Sequence, residues 1–141
     1  MSPEHDTNIA IVLKYFDGCN TGNLEDLLST LDQDVTHYFL PSQFKAIRTA
    51  QHLANYWRKF KNRLNPVWKI DHIIAQGNEV VSEWSCAWTP EGTDLRLMMR
   101  GSEWYVMRDG LILEVRAYFG YSDKANIELA GFPYPDRGYL E

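Results

Sequence analysis

Apolar residues recur at two different periods along this chain, and the change from one to the other divides it. Ile9, Val12, Leu13 and Phe16 fall at i, i+3, i+4 and i+7, a helical stripe that Thr7 or Asn8 can cap and that ends near Asn20 and Gly22. Asn23 then caps a shorter helix, Leu24 to Leu31, with Leu24, Leu27, Leu28 and Leu31 on one face. Val35 to Phe39, β-branched and aromatic between Asp32, Asp34 and Pro41, predicts a short strand. Residues 40 to 48 predict a loop, and Thr49 caps a third helix carrying Leu53, Tyr56, Trp57, Phe60 and Leu64. From Pro66 the period falls to 2. Four runs, Val67 to Ala75, Glu79 to Thr89, Leu95 to Arg108 and Leu111 to Phe119, are separated by turn residues, and Asp109-Gly110 is a two-residue hairpin signal. Helices followed by an antiparallel meander predict an α+β domain whose helices cover one face of the sheet.

Length keeps this to one domain over residues 1–141, because 141 residues leave no room for two independent cores. With 45% hydrophobic residues and 13% aromatic, the chain buries enough apolar surface to fold. A formal net charge of −5 argues against nucleic acid or an anionic membrane as a partner. The basic positions Arg58, Lys59, Lys61 and Arg63 read as the solvated face of the third helix. No apolar run has the length of a membrane span, and the first residues lack the order of a signal peptide, so the expected location is cytoplasmic. Cys19 and Cys86 have no ligand spacing and are expected to be buried free thiols. After Tyr121 the periodicity stops. The tail to residue 141, with Phe132, Tyr134 and Tyr139, is expected to dock on the body or on a second copy.

Three local patterns resemble one family. Tyr15-Phe16-Asp17-Gly18-Cys19-Asn20-Thr21-Gly22-Asn23-Leu24 is similar to its turn between the first two helices, and Asp34-Val35 to the entry into its first strand. Gly101-Ser102-Glu103-Trp104-Tyr105-Val106-Met107-Arg108-Asp109-Gly110-Leu111-Ile112 is similar to its long hairpin. Together, over about residues 5 to 120, they resemble the SnoaL-like branch of the nuclear transport factor 2-like superfamily, which holds polyketide cyclases and ketosteroid isomerase relatives. The resemblance implies a cystatin-like α+β barrel, a cone-shaped, strongly curved antiparallel sheet wrapped around the N-terminal helices with a pocket inside. It also implies a homodimer through the outer sheet face. Trp104, Val106, Val115, Ala117 and Phe119 are expected on that face by alternation.

The same alternation supplies the candidate site. Val35, His37 and Phe39 share a face, as do Gly101, Glu103, Tyr105 and Met107, and Ile112, Glu114, Arg116 and Tyr118. By resemblance, His37 stands on the strand that carries an aspartate base in ketosteroid isomerases. Tyr15 precedes Asn20 at the spacing where dehydratase-like relatives place a Tyr or Lys before a catalytic aspartate. His37 is the expected proton acceptor, since imidazole titrates near neutrality, with Tyr15 and Arg116 as donors to a developing oxyanion. Asn20, Phe39, Trp57, Trp84, Glu103, Tyr105 and Glu114 are the expected substrate contacts. The plainer readings stay open beside these: a satisfied core histidine, a core tyrosine, core tryptophans, and a buried Glu103–Arg116 ion pair. No phosphate loop, nucleophile elbow or metal-ligand spacing is present, so neither a metal nor a cofactor is assigned. Three functions follow. The first is a cofactor-independent isomerase, cyclase or dehydratase acting on a small apolar molecule. The others are a non-catalytic carrier of such a ligand and a dimerisation module with a filled interior.

Overall fold

The structure is a computed structural model, described for residues 3–40 and 44–120. Helix α1 (Pro3–Thr21) begins earlier than its apolar stripe, with proline in the first turn, where its missing N–H is no loss. Thr7 bonds back to the Pro3 carbonyl at 2.9 Å and so lies inside the helix instead of capping it. Asn23 caps α2 (Leu24–Leu28), its Oδ1 accepting from the Asp26 N–H at 3.0 Å. That helix stops three residues early because Leu31 opens β1 (Leu31–Leu40), opposite Ile112. Within the expected loop, Ile47–Arg48 forms a two-residue strand, β2, on β1. Thr49 caps α3 (Ala50–Leu64), which is followed by β3 (Val67–Gln76), β4 (Glu79–Trp88), β5 (Leu97–Arg108) and β6 (Leu111–Phe119). The Asp109-Gly110 turn takes φ of 53° and 76°, the doubly left-handed geometry its residues favour.

The α+β class holds, but two parts of the expected architecture do not. The sheet is mixed. Its order is β2-β1-β6-β5-β4-β3, and β1 runs parallel to β6, a long-range pairing that no local period encodes. It is also open and not strongly curled, which overturns the cone-shaped barrel. β3 and β2 are opposite edges. The edge of β3 is occupied by a helix residue: Asn20 Oδ1 accepts from the Trp68 N–H at 2.7 Å and its Nδ2 donates to the Trp68 carbonyl at 3.0 Å. A side-chain amide thus takes the place of a further strand at this point.

The helices cover one sheet face, and the core between them draws on nearly every element. Val12, Leu27, Val35, Leu53, Val80, Ile112 and Val115 are fully buried there. Gly101 is required by packing: a Cβ would stand 2.5 Å from Trp84 Cζ2 and 2.8 Å from the Tyr118 carbonyl oxygen, so the Trp84 ring lies over bare backbone.

A bulge corrects the face assignments on β6. Met107 pairs with Ile112 but Val106 pairs with Glu114, leaving Leu113 as an extra residue. One inserted residue reverses the alternation beyond it. Val115, Ala117 and Phe119 therefore turn toward the helices, and Glu114, Arg116 and Tyr118 turn away. Arg116 pairs with Glu114 and lies 5.9 Å over the Trp104 ring, on the outer face. That face retains Trp104, Val106 and Tyr118 among these charges, a less apolar surface than the one expected to form a homodimer. The expected docking of the tail concerns residues outside those described. No helix among the described residues is long and apolar enough to cross a membrane.

Candidate functional site

Between α3 and the helix-covered sheet face lies a cleft of about 80 Å³ with almost wholly aromatic walls. Helix α3 presents Tyr56, Trp57 and Phe60, successive steps of its apolar stripe. Phe39 comes from β1, Trp68 from β3, Trp84 from β4 and Phe119 from the re-phased end of β6. The rings meet mostly edge to face: Trp57 and Trp68 at 5.3 Å and 81°, Tyr56 and Trp57 at 4.9 Å and 73°. Phe44 is the most exposed wall residue, at 55%, and marks the open side. The volume far exceeds the 10–15 Å³ that holds one water, and is about half that of an engineered cavity that admits benzene. The cleft therefore encloses only part of a single ring, the rest of which would extend past Phe44.

Three titratable side chains line this apolar space: Tyr56, whose phenol burial holds protonated, and the two that can exchange a proton, His37 and Glu103. The alternation of β1 puts His37 inside, fully buried, with its ring 4.4 Å from that of Phe39 and 5.5 Å from that of Trp57. Neither Nδ1 nor Nε2 has a partner in regular hydrogen-bond geometry, and the ring's own backbone offers only a weaker contact that opposes the effect of burial. Burial disfavours the imidazolium and lowers the pKa to about 3, so the ring is neutral at pH 7. This departs from the tuning expected of it: a base whose conjugate acid is that strong takes protons poorly, but its N–H still donates.

Glu103 has the complementary character. It is 4% exposed, and burial raises its carboxyl pKa to about 7. Tyr105 opposes that rise by donating to Oε2 at 2.6 Å. Trp84 Nε1–H adds a weaker pull in the same direction from beyond regular hydrogen-bond geometry. Ser82 Oγ meets the Tyr105 hydroxyl at 2.8 Å, completing a buried polar chain behind the wall.

The other expected site residues divide clearly. Phe39, Trp57, Trp84 and Glu103 line the cleft with His37. Tyr105 stands behind Glu103 and reaches the cleft only through it. Tyr15 is buried and accepts from Trp57 Nε1–H at 2.7 Å, so it braces a wall ring; burial pushes its own pKa well up. Asn20 spends both ends of its amide on the Trp68 backbone. Arg116 and Glu114 are on the opposite sheet face, paired with each other, and no Glu103–Arg116 ion pair forms. Sequence reasoning did not name Tyr56, Phe60, Trp68 or Phe119 as walls. The α3 stripe pointed to the first two, whereas Phe119 was hidden by the bulge. Both cysteines are buried free thiols. Among the described residues no three His, Cys, Asp or Glu side chains gather as metal ligands.

Residues 12–115 match the SnoaL-like domain, and the chain belongs to that family. No curated protein matches it. Among solved structures it is similar to an LEH-like epoxide hydrolase from M. tuberculosis, at 24% identity and a TM-score of 0.74, covering 84% of this chain and 86% of that one. It is similar also to a protein of unknown function with a cystatin-like fold from Methylobium petroleophilum PM1, at 26% identity and a TM-score of 0.74, over 96% and 91% of the two chains. A candidate ketosteroid isomerase from Kribbella flavida DSM 17836 has 19% identity and a TM-score of 0.70, over 87% and 84%. Across these distances the likeness is one of fold, and the fold family spans hydrolase, isomerase and cyclase members.

Proposed function

We propose that the cleft binds a small, uncharged carbonyl compound and transfers a proton to and from the carbon next to the carbonyl, without a cofactor. The observation that carries this reading is the pair of proton-exchanging groups in one aromatic cleft, a carboxyl group held near neutrality and a neutral imidazole with no partner in regular hydrogen-bond geometry. Glu103 at pH 7 is divided between acid and carboxylate, the condition in which a general base both accepts and returns a proton. His37 supplies an N–H toward the oxygen that gains negative charge, and a neutral imidazole suits that role because it loses nothing to prior protonation. The apolar walls lower the local dielectric and so strengthen both interactions. Enolisation of this kind is the first step of many isomerisations, cyclisations and dehydrations of carbonyl compounds, and the hydrolase and candidate isomerase with similar folds support an enzyme.

Non-catalytic binding is the competing reading, and cyclohexanone separates the two. In D2O near pH 7 the protein is expected to speed exchange of the hydrogens beside the cyclohexanone carbonyl, followed by proton NMR. Glu103→Gln should cut the protein-dependent rate by about 10²-fold or more. Exchange no faster than in buffer, or equal in the variant, contradicts the catalytic assignment.

A further inference from the structure

We infer that Tyr105, backed by Ser82, is a positioning residue that reserves the Oε1 oxygen of Glu103 for the cleft and orders the three hydroxyl and carboxyl groups into one directed chain. The inference rests on Glu103 being the proton-transfer group proposed above.

With Glu103 as the carboxylate, which can only accept, the relay has one consistent direction. A phenol has a single proton to give. Tyr105 gives it to Glu103 Oε2 at 2.6 Å, so at the 2.8 Å contact Ser82 Oγ–H must donate to the Tyr105 oxygen. Tyr105 and Ser82 are 0% and 1% exposed, so water does not compete for either contact. Neither residue lines the cleft, whereas Glu103 does. While Tyr105 donates to Oε2 from behind, Oε1 is the oxygen left for the carboxylate to accept a proton, and the acid so formed carries that proton on Oε1. The groups that face Glu103 from other elements do not change this order: Trp84 Nε1–H of β4 favours the carboxylate but lies outside regular hydrogen-bond geometry, and the Tyr56 phenol of α3, raised by burial, stays protonated. Tyr15 and Cys19 from α1 and Cys86 from β4 are raised by burial and stay protonated, and His37 from β1 stays neutral. Val115 and Ala117 of β6, paired with Tyr105 and Glu103, bring no charge.

Tyr105 then acts on the reaction only through Glu103, by stabilising the carboxylate and fixing which oxygen works. The test is infrared spectroscopy of protein labelled with ¹³C-glutamate, which follows the C=O stretch of a protonated carboxylic acid from pH 5 to 9, with Glu103→Gln identifying the band. The wild-type midpoint is expected near 7. Tyr105→Phe keeps the ring and removes the donor, and should raise the midpoint by about one pH unit, a tenfold change in the acid-to-carboxylate ratio. Ser82→Ala spares the bond to Glu103 and should move it less than half as far. The pH profile of cyclohexanone exchange should shift with the midpoint in each variant, which a merely structural loss would not produce. An unmoved midpoint in Tyr105→Phe, or a larger shift from Ser82→Ala than from Tyr105→Phe, overturns the relay and leaves Glu103 as the proton carrier intact. A wild-type band that vanishes near the ordinary carboxyl range instead removes the proposed function itself.

Discussion

Replacing His37 by leucine is expected to make the protein more stable and less active at once. In the folded state the imidazole is fully buried with neither nitrogen partnered, whereas in the unfolded chain both nitrogens bond to water. Such a group carries a desolvation cost of about 1–3 kcal/mol, which leucine, similar in volume, does not. The gain should grow in acid. The pKa is lowered from 6.5 in the unfolded reference to about 3 in the fold, so the unfolded chain binds the extra proton throughout that window. The wild-type protein therefore has its full stability above pH 6.5 and loses it as the pH falls toward 3, by up to roughly 5 kcal/mol. His37→Leu should lack this acid limb in urea titrations at pH 7, 5 and 4. Its cyclohexanone exchange rate should fall by about 10²-fold, the usual cost of losing one oxyanion donor. Unchanged stability together with unchanged exchange would return His37 to the role of an ordinary core residue. A stability gain coupled to a functional loss is the signature of a polar group kept for a ligand.

The second large effect has the opposite pH sense. Glu103 is raised from 4.5 to about 7, so between those values the folded protein holds a proton that the unfolded chain has released. Its contribution is complete below pH 4.5 and is lost as the pH rises through 7, because the carboxylate then has to be charged inside an apolar wall. The gap corresponds to roughly 3 kcal/mol. Glu103→Gln retains an acceptor for Tyr105 and removes the titration. Relative to this variant, the wild-type protein should lose about that amount between pH 4.5 and 8.5 by urea denaturation, and the His37 contribution cancels because both proteins carry it. Parallel stability curves over that range would mean that the carboxyl group is not desolvated as the geometry indicates.

Much of this architecture was legible in the residues, for identifiable reasons. The helix stripes, the Asn23 and Thr49 caps and the Asp109-Gly110 turn are local signals, and each marks its element within a few positions. His37 was placed inside by simple alternation on β1, and Glu103 likewise on β5. What stayed hidden was non-local or irregular. The parallel pairing of β1 with β6 joins positions roughly 80 residues apart, and no pattern within either strand expresses it. Leu113 reads as one more apolar strand residue, yet as a bulge it reversed the faces of everything after it. Arg116 and Glu114 thereby left the site, and Phe119 entered it. The division of chemical roles was hidden for another reason. Sequence supplies an imidazole's ordinary pKa near neutrality, but the surroundings that lower His37 and raise Glu103 exist only once eight aromatic rings have closed around them. In the proposed mechanism the expected base is the donor, and a residue expected to contact substrate is the proton carrier.

In the proposed mechanism the unpartnered imidazole and the poised carboxyl group meet one ligand in this cleft. Nitrogen-15 NMR of histidine-labelled protein tests it most directly, with phenol as a single ring bearing an enol-like hydroxyl. Of the four histidines, His37 should remain neutral from pH 7 down to pH 4, and on addition of phenol its ring nitrogens alone should shift, while His5, His52 and His72 stay in place. A His37 that protonates near pH 6.5, or whose nitrogens are unmoved by saturating phenol, would rule out His37 as the donor in this cleft.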